Sequence, residues 1–486
     1  MKTFTRSTII LITILIINAC ATYKAQYQNK SDIIKKSTSK EVSHTFYLIG
    51  DAGNSELNKV SPALSKLKEK LSGADKNGTL LFLGDNVYPK GLVKKSKLAK
   101  HRLQVQIDLG KTFDGKTIFL PGNHDWYTGL DALKDQEKMV EKALGKDSFL
   151  PENGCPIEKV NVTDDIVLIV IDTQWYLTNW NNHPKINDNC DIKTREKFFD
   201  ELESQLKKAQ GKTAIIAMHH PMFTQGSHGG NYSFGSHMSP LPILGTVKNI
   251  LRKTTGVSNA DLQNKKYNEL KKRIVTLAQE NEKTIFVSGH EHSLQYIVED
   301  NIPQIVSGSG SKEGATKLSK AGLYSEGKQG YAKLIIYKDG SSHVQFFTID
   351  SKEPSFETSV INPKKHLQLI AYPDQFESTK KAAIYSKEEV TKGSTYKYFW
   401  GERYRKYFGT EVTAATVNLD TLFGGLKPVR KGGGHQSKSL RLKDSKGREY
   451  VMRALRKNAV QYLQAVAFKD QYVEGQFNDT YTEGLL

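Results

Sequence analysis

Five short polar motifs, four of them directly after an apolar run, constrain the fold of this 486-residue chain most strongly. Apolar runs of this length predict buried strands, and the loops that follow such strands usually carry the chemistry of an α/β protein. Each motif offers a carboxylate, amide or imidazole, which are ligands of hard metal ions. The motifs are Gly50-Asp51-Ala52-Gly53, Gly84-Asp85-Asn86-Val87-Tyr88, Gly122-Asn123-His124-Asp125, Met218-His219-His220-Pro221 and Gly289-His290-Glu291-His292.

The hydrophobic pattern predicts a layered α/β/β domain over residues 44–350. Strands are expected at 45–49, 79–83, 117–120, 166–171, 213–218, 284–288, 293–298, 303–307, 330–337 and 343–349. Helices are expected at 57–71, 192–210 and 265–281. Residues 351–486 differ in composition and form a basic region of unknown role, with strands at 438–443 and 448–455. That region is either an accessory domain or the first part of a longer protein.

The formal net charge of +18 favours anionic partners, although solvated lysine faces would give the same number. Phosphate esters, nucleic acid and anionic membranes all qualify as such partners. Residues 425–460 hold eleven Lys and Arg against two Asp and Glu, yet they carry no recognition motif or stacking pattern for nucleic acid. Nucleic-acid binding is therefore not predicted.

The first 19 residues resemble a bacterial lipoprotein signal peptide. Lys2 and Arg6 precede the short apolar run 9–17, and a small residue precedes Cys20. This pattern predicts an exported protein, lipidated at Cys20 and anchored to the cell envelope, facing the periplasm or the cell surface. Plain signal cleavage is the alternative, because Asn18 is uncommon in the lipidation motif. Residues 20–43 are polar and are expected to form a flexible tether.

Two further cysteines, Cys155 and Cys190, flank the predicted strand at 166–171. In an exported protein such a pair favours one disulfide bridge, with two separate thiols as the alternative.

The ligand types in the five motifs meet the needs of a two-metal site, which requires one bridging oxygen and terminal ligands for each ion. The set resembles the calcineurin-like metallophosphoesterases, and Tyr88 in the second motif makes it similar to the small, mammalian-type purple acid phosphatases. The resemblance covers about residues 44–350 and implies a four-layer α/β/β/α sandwich with a basic C-terminal extension. It also implies an acid-phosphatase-like hydrolase of phosphate monoesters, in which metal-activated hydroxide attacks phosphorus.

The resemblance assigns seven metal ligands. A ferric ion is expected at Asp51, Tyr88 and His292, and a divalent Fe, Zn or Mn ion at Asn123, His219 and His290. Asp85 is expected to bridge the two ions. Tyr88 has one alternative, a core aromatic, and His219 has one competitor, its neighbour His220.

His124 follows the ligand Asn123 and is expected to face the substrate, with Asp125 orienting it through a carboxylate–imidazole hydrogen bond. His228 resembles a His-Gly that contacts substrate in the small purple acid phosphatases. Glu291 lies between two ligands and is expected to point away from them. His237 is the competitor of His228. Two other functions stay open: a phosphodiesterase acting on nucleotides or lipid headgroups, and a non-catalytic cell-surface binding protein.

Overall fold

The computed structural model describes residues 20–29, 40–74, 76–279, 281–362, 377–432 and 437–457. The chain divides into two units, Met1–Leu367 and Gln368–Leu486. The predicted signal peptide lies outside the described residues. Within the described part, no helix is both long and apolar enough to cross a bilayer.

Two β-sheets form the centre of the first unit. The six-stranded sheet has the order β14-β13-β12-β2-β3-β4, and the eight-stranded sheet has the order β1-β11-β9-β10-β8-β7-β6-β5. The strands are β1 Gln26–Tyr27, β2 Val42–Ile49, β3 Gly78–Leu83, β4 Lys116–Leu120, β5 Ile157–Thr163, β6 Ile166–Ile171, β7 Thr213–Met218, β8 Thr284–Ser288, β9 Leu294–Glu299, β10 Ile302–Ser307, β11 Gly322–Glu326, β12 Gly330–Tyr337, β13 Ser342–Thr348 and β14 Phe356–Ser359.

Each sheet is buried on both faces, because successive side chains of a strand point to opposite sides. In β2, Phe46 and Leu48 join an apolar cluster that includes Leu168 of β6 and therefore links the sheets. Tyr47 and Ile49 of the same strand face the other way and join the cluster that contains the helices. The core strands β2-β3-β4 and β6-β7-β8 run parallel within their sheets.

Helices form the two outer layers of the first unit. The helix α1 contacts β12 of the six-stranded sheet, and α6 contacts β5 of the eight-stranded sheet. This arrangement is the four-layer sandwich that the resemblance implied. The helices are α1 Pro62–Leu71, α2 Lys97–Lys111, α3 Asn123–Trp126, α4 Leu130–Leu144, α5 Thr173–Leu177, α6 Arg195–Lys208, α7 Phe234–Met238, α8 Pro242–Thr255 and α9 Lys265–Ala278.

Both ends of the first unit differ from the sequence prediction. Residues assigned to a flexible tether are packed: Gln26–Tyr27 pairs with β11, and the Ala21 N–H donates to the Tyr232 carbonyl at 3.0 Å. At the other end Phe356–Ser359 pairs with β13, so the sheet continues beyond residue 350. Edge strands this short carry little periodicity, and their pairing partners are remote in sequence.

The cysteine pair and the second unit complete the description. Cys155 and Cys190 form a disulfide, with Cα atoms 5.3 Å apart.

In the second unit, the two strands predicted at 438–443 and 448–455 are confirmed as an antiparallel pair, β18 and β19. Its elements are β15 Thr379–Ala382, α10 Lys387–Val390, α11 Ser394–Trp400, α12 Arg403–Phe408, β16 Val412–Ala415, β17 Leu426–Gly432, β18 Ser437–Asp444 and β19 Glu449–Lys457.

Candidate metal centre

The five motifs follow β2, β3, β4, β7 and β8, and the third of them opens the short helix α3, so the two sheets bring their strand ends to one place. Asp51 and Asp85 both adopt a left-handed backbone, with φ of 56°. Such turns reverse the chain immediately after a strand and aim the next polar group at the site. A Cβ atom on Gly122 would lie 2.3 Å from the Asp85 amide nitrogen, so the loops after β3 and β4 approach too closely for any other residue.

Asp51, Tyr88 and His292 form the first ligand cluster. The Tyr88 hydroxyl donates to Asp51 Oδ1 at 2.7 Å and lies 3.1 Å from His292 Nε2. His292 Nε2 is 3.4 Å from the same Asp51 oxygen. The phenol therefore faces the ligand atoms and does not pack as a core aromatic.

Asn123, His219 and His290 form the second cluster. Asn123 Oδ1 lies 3.0 Å from His219 Nε2 and 3.1 Å from His290 Nδ1, and the two ring nitrogens are 3.3 Å apart. One oxygen and two imidazole nitrogens thus converge on a single point, which is the donor set of a divalent transition metal.

Asp85 lies between the two clusters. Its Oδ1 atom is 3.4 Å from His219 Nε2, and it also accepts the His124 backbone N–H at 2.9 Å. Ligand atoms of Asp51, Asp85 and His219 all lie within 4.8 Å of one another. A carboxylate in this position has the geometry of a bridging ligand.

The backbone orients both rings of the second cluster. His219 Nδ1 lies 2.8 Å from the Leu83 carbonyl, and His290 Nε2 lies 2.8 Å from the Ala260 carbonyl. An N–H at each of these nitrogens donates to its carbonyl, which leaves the opposite nitrogen of each ring as a lone-pair donor toward the cluster. The tautomers therefore suit metal ligation.

Electrostatics also favour cations at this point. Burial, together with the Asp51 and Asp85 carboxylates, raises the pKa of the Tyr88 phenol well above its ordinary value. A strong local positive charge would be needed to ionise that phenol near neutral pH, and a metal ion supplies one. Two buried carboxylates, a phenol, an amide and three imidazoles fit a pair of hard or borderline metal ions.

His124 and Asp125 do not form the predicted pair. His124 Nδ1 lies 2.6 Å from the Pro89 carbonyl, which leaves Nε2 3.8 Å from Asp85 Oδ2. The Asp125 carboxylate instead accepts three backbone N–H groups, from Asn86, Val87 and Gly122 at 2.8–3.1 Å. Asp125 fastens the loop after β3 to the loop after β4, and the prediction that it orients His124 is wrong because α3 turns the two side chains apart.

His228 lies beside the second cluster, and His237 does not. The His228 ring packs against the His290 ring with centroids 4.1 Å apart and the planes tilted by 34°, whereas His237 packs against Tyr232. The carboxylate of Asp261 holds His228 Nδ1 at 2.8 Å. Asp261 also accepts two bonds of 2.6 Å from the Arg252 guanidinium, so a charged pair fixes the histidine.

Glu291 points away from the metal ligands, and its carboxylate fastens the loop that carries His228. Oε1 accepts from the Thr224 hydroxyl at 2.7 Å, from the His228 N–H at 2.9 Å and from the Gly229 N–H at 3.3 Å. The last motif thus supplies two ligands and also positions a neighbouring loop.

His220 lies outside the ligand clusters. Its Nδ1 is 2.7 Å from the Thr173 hydroxyl, because adjacent residues after a strand point in opposite directions. Burial and the neighbouring His219 and His228 hold its pKa well below the ordinary value.

Lys312 is a residue of the site that the motifs missed. Its Nζ lies 3.1 Å from the centroid of the Tyr88 ring. Burial lowers the pKa of Lys312, while the Asp51 and Asp85 carboxylates act in the opposite direction. The signal was present in the sequence, because residues 308–312, Gly-Ser-Gly-Ser-Lys, follow β10 as the other motifs follow their strands.

Comparison with known proteins identifies the family. The family model described as calcineurin-like phosphoesterase matches residues 44–294, which is more than half of the chain. The chain belongs to this family. Members bind two metal ions, which agrees with the two ligand clusters around Asp85.

The chain is also similar to several solved structures, at low sequence identity. A purple acid phosphatase from yellow lupin seeds is 13% identical, with 66% of this chain and 54% of that chain covered and a TM-score of 0.42. Calcineurin-like phosphoesterase YfkN from Bacillus subtilis is 13% identical, with coverage of 65% and 93% and a TM-score of 0.32. An anchor protein of the inner membrane complex of Plasmodium is 16% identical, with coverage of 66% and 89% and a TM-score of 0.44. A search of curated proteins found no match.

Proposed function

We propose that this protein hydrolyses phosphate monoesters in the manner of an acid phosphatase, with a mixed pair of metal ions. Asp51, Tyr88 and His292 would hold a ferric ion, and the second cluster would hold a divalent Fe, Zn or Mn ion. Asp85 would bridge them. The observation that carries the proposal is the Tyr88 hydroxyl, 2.7 Å from Asp51 and 3.1 Å from His292, because a phenolate is a hard anionic ligand suited to a trivalent ion.

Bound metal ions of this kind would activate a water molecule and neutralise charge on the phosphoryl group. His124 would give a proton to the departing alcohol from Nε2, since its Nδ1 faces the Pro89 carbonyl. His228, held by Asp261, would bind a phosphate oxygen next to the second cluster. Lys312 adds a positive charge on the opposite side, near Tyr88.

The proposed location is the bacterial cell envelope. The first 20 residues support it, because basic residues, an apolar run and then a cysteine follow one another there. The net charge of +18 also suits anionic surroundings. In this proposal Cys20 carries the lipid, and the hydrolase domain begins immediately after it. Mass spectrometry of the mature N-terminus would test it: an unmodified terminus at any residue would contradict lipidation.

The decisive experiment combines metal analysis, a visible spectrum and activity on the purified protein. We expect iron plus a second divalent metal, a visible charge-transfer band from tyrosinate to iron, and preferential hydrolysis of an aryl phosphate monoester over the diester. Tyr88→Phe should abolish the band. Tyr127→Phe is the matched control, because the Tyr127 hydroxyl contacts Asn123 of the other cluster at 2.6 Å and should leave the band intact. Colourless iron-loaded protein would contradict the ferric–tyrosinate assignment, and preference for the diester would favour the phosphodiesterase alternative.

A further inference from the structure

The helix α8 carries its apolar side chains outward, which reverses the usual arrangement of a surface helix. Leu244, Val247, Ile250 and Leu251 are 45–55% exposed. Their spacing of three, four and seven residues places them on one side of the helix. We call these four residues the apolar face of α8.

The inward side of α8 is polar and is already used. Buried Asn249 accepts from the Ser236 hydroxyl at 3.1 Å, and Arg252 forms its ion pair with Asp261. A Cβ atom on Gly245 would lie 2.4 Å from the His237 carbonyl, so this side packs tightly against the end of α7. The orientation of α8 is therefore set by polar contacts, and its apolar face has to point away from the domain.

The apolar surface around α8 is unusually concentrated. Among the described residues of the first unit, seven of the fourteen exposed large apolar side chains belong to residues 234–257. Besides the apolar face of α8, they are Phe234 of α7, Leu241 directly before α8 and Val257 after it. A patch of this kind marks an interaction site.

Charge indicates which partner this surface fits. Residues 231–260 contain no Asp or Glu, whereas Lys248 and Lys253 flank the apolar face of α8. An amphipathic helix with leucines on one side and lysines at its borders is typical of a segment that lies in the interface of an anionic membrane. A second copy fits poorly, because contact between two such faces would bring their lysines together on chains that each carry a charge of +18.

The start of the folded domain lies at the same place. Ala21 is bridged to Ser233, the residue before α7, and its N–H donates to the Tyr232 carbonyl. Cys20, the residue expected to carry a lipid, is therefore adjacent in the chain to a residue that contacts the base of this segment. Tyr23 is 46% exposed close by, and tyrosine favours the headgroup region of membranes.

We propose that α7, α8 and the residues up to Val257 dock onto an anionic lipid surface. The apolar face of α8 inserts at the headgroup level, and Lys248 and Lys253 contact the phosphates. Arg252, on the opposite side of the same helix, lies 3.1 Å from His228 Nδ1, so α8 is in contact with the residues beside the candidate metal centre. The inference concerns a binding surface and does not depend on which reaction the centre performs.

The test uses the full chain with Cys20→Ala, so that no lipid is attached, and a local fluorescent reporter. Val247→Cys labelled with an environment-sensitive dye is compared with Val60→Cys, since these two positions have similar exposure, 45% and 48%. Vesicles of phosphatidylglycerol and phosphatidylcholine, or of phosphatidylcholine alone, are added. We expect a blue shift at position 247 with the anionic vesicles only and no shift at position 60.

Leu244→Asp with Leu251→Asp should weaken the apparent affinity for anionic vesicles by at least ~10-fold. Leu57→Asp with Val60→Asp is the matched pair, and an unchanged unfolding midpoint would show that both variants fold. Equal shifts at positions 247 and 60, or an unchanged spectrum at 247, would overturn the proposal. A shift at 247 that depends on protein concentration without vesicles would also overturn it, since a second copy would then cover the face.

Discussion

Asp261 offers the sharpest test of how His228 is held beside the candidate metal centre. It comes from a loop 33 residues beyond His228, yet its buried carboxylate meets His228 Nδ1 at 2.8 Å and the Arg252 fork at 2.6 Å. Asp261→Asn keeps the shape of the side chain and removes its charge. An amide offers one acceptor oxygen, so it cannot accept from the histidine and from both guanidinium nitrogens as the carboxylate does.

The size of the effect follows from the bonds that are lost. Hydrogen bonds to charged groups contribute about 1.5–3 kcal/mol, and about 1.4 kcal/mol corresponds to a tenfold change in rate. If His228 binds the phosphoryl group in the transition state, Asp261→Asn should lower kcat/KM for an aryl phosphate by ~10–100-fold. Asp339→Asn is the matched control, because it makes the same substitution in an exposed ion pair with Lys40 that involves no residue of the candidate centre. It should change kcat/KM by less than about twofold.

A double-mutant cycle separates positioning from a structural role. His228→Ala alone should lower kcat/KM, and adding Asp261→Asn to it should lower kcat/KM by no more than about threefold further, because Asp261 acts through the ring that is gone. Additive losses in the double variant would refute this reasoning, as would an Asp261→Asn enzyme with normal kcat/KM. Unfolding midpoints of all variants show whether a loss of activity reflects a loss of structure.

Three further outcomes follow from particular contacts. Asp85→Asn should lower turnover by at least ~100-fold, which exceeds the usual loss when a residue that only hydrogen-bonds to a metal ligand is replaced. Intact turnover would contradict the bridging role. Burial raises the pKa of Asp172 to about 7, so the folded chain binds an extra proton between about pH 4 and 7 and loses stability as the pH rises through that window. Urea unfolding should therefore show Asp172→Asn gaining about 2–3 kcal/mol over the wild type between pH 5 and pH 8, and a constant difference would contradict this. Replacing Cys155 and Cys190 by Ser opens a loop with a separation of 35 residues, so urea unfolding should show a loss of about 4 kcal/mol, and an unchanged unfolding free energy would count against the bridge.

The sequence predicted the sandwich and the ligand loops because both depend on local patterns. β6 is wholly apolar, β7 and β8 are apolar except for Thr or Ser at their ends, and each strand has the bounds that the pattern predicted. The loops after such strands meet in space by topology, so Asp51, Asp85 and Asn123 could be placed together without knowing any side-chain contact. The helices α2 and α4 were missed, since a buried glutamine interrupts the apolar spacing along the buried side of each helix, Gln106 in α2 and Gln136 in α4.

Contacts between loops that are remote in the chain could not be predicted from the sequence. Asp125 looked like the partner of His124 because the two are adjacent, but side chains one position apart on a helix face different directions. The partner of His124 is a backbone carbonyl, which no motif can reveal. The partner of His228 is Asp261, which depends on how residues 256–264 fold back over His290 through the Ala260 carbonyl.

The contrast between Lys312 and Arg252 shows where motif reasoning ends. Lys312 follows β10 in a Gly-Ser-rich loop, so the rule that placed the five motifs also places Lys312 at the site once β10 is known to pair in parallel with β8. Arg252 follows no strand: it reaches the site from the polar side of α8, whose apolar side faces outward. A sequence pattern alone would have turned that helix the other way and buried its leucines. Because the polar side of α8 faces inward, Arg252 reaches His228 and the apolar face of α8 is exposed. The contact beside the metal centre and the proposed membrane surface therefore share one structural cause.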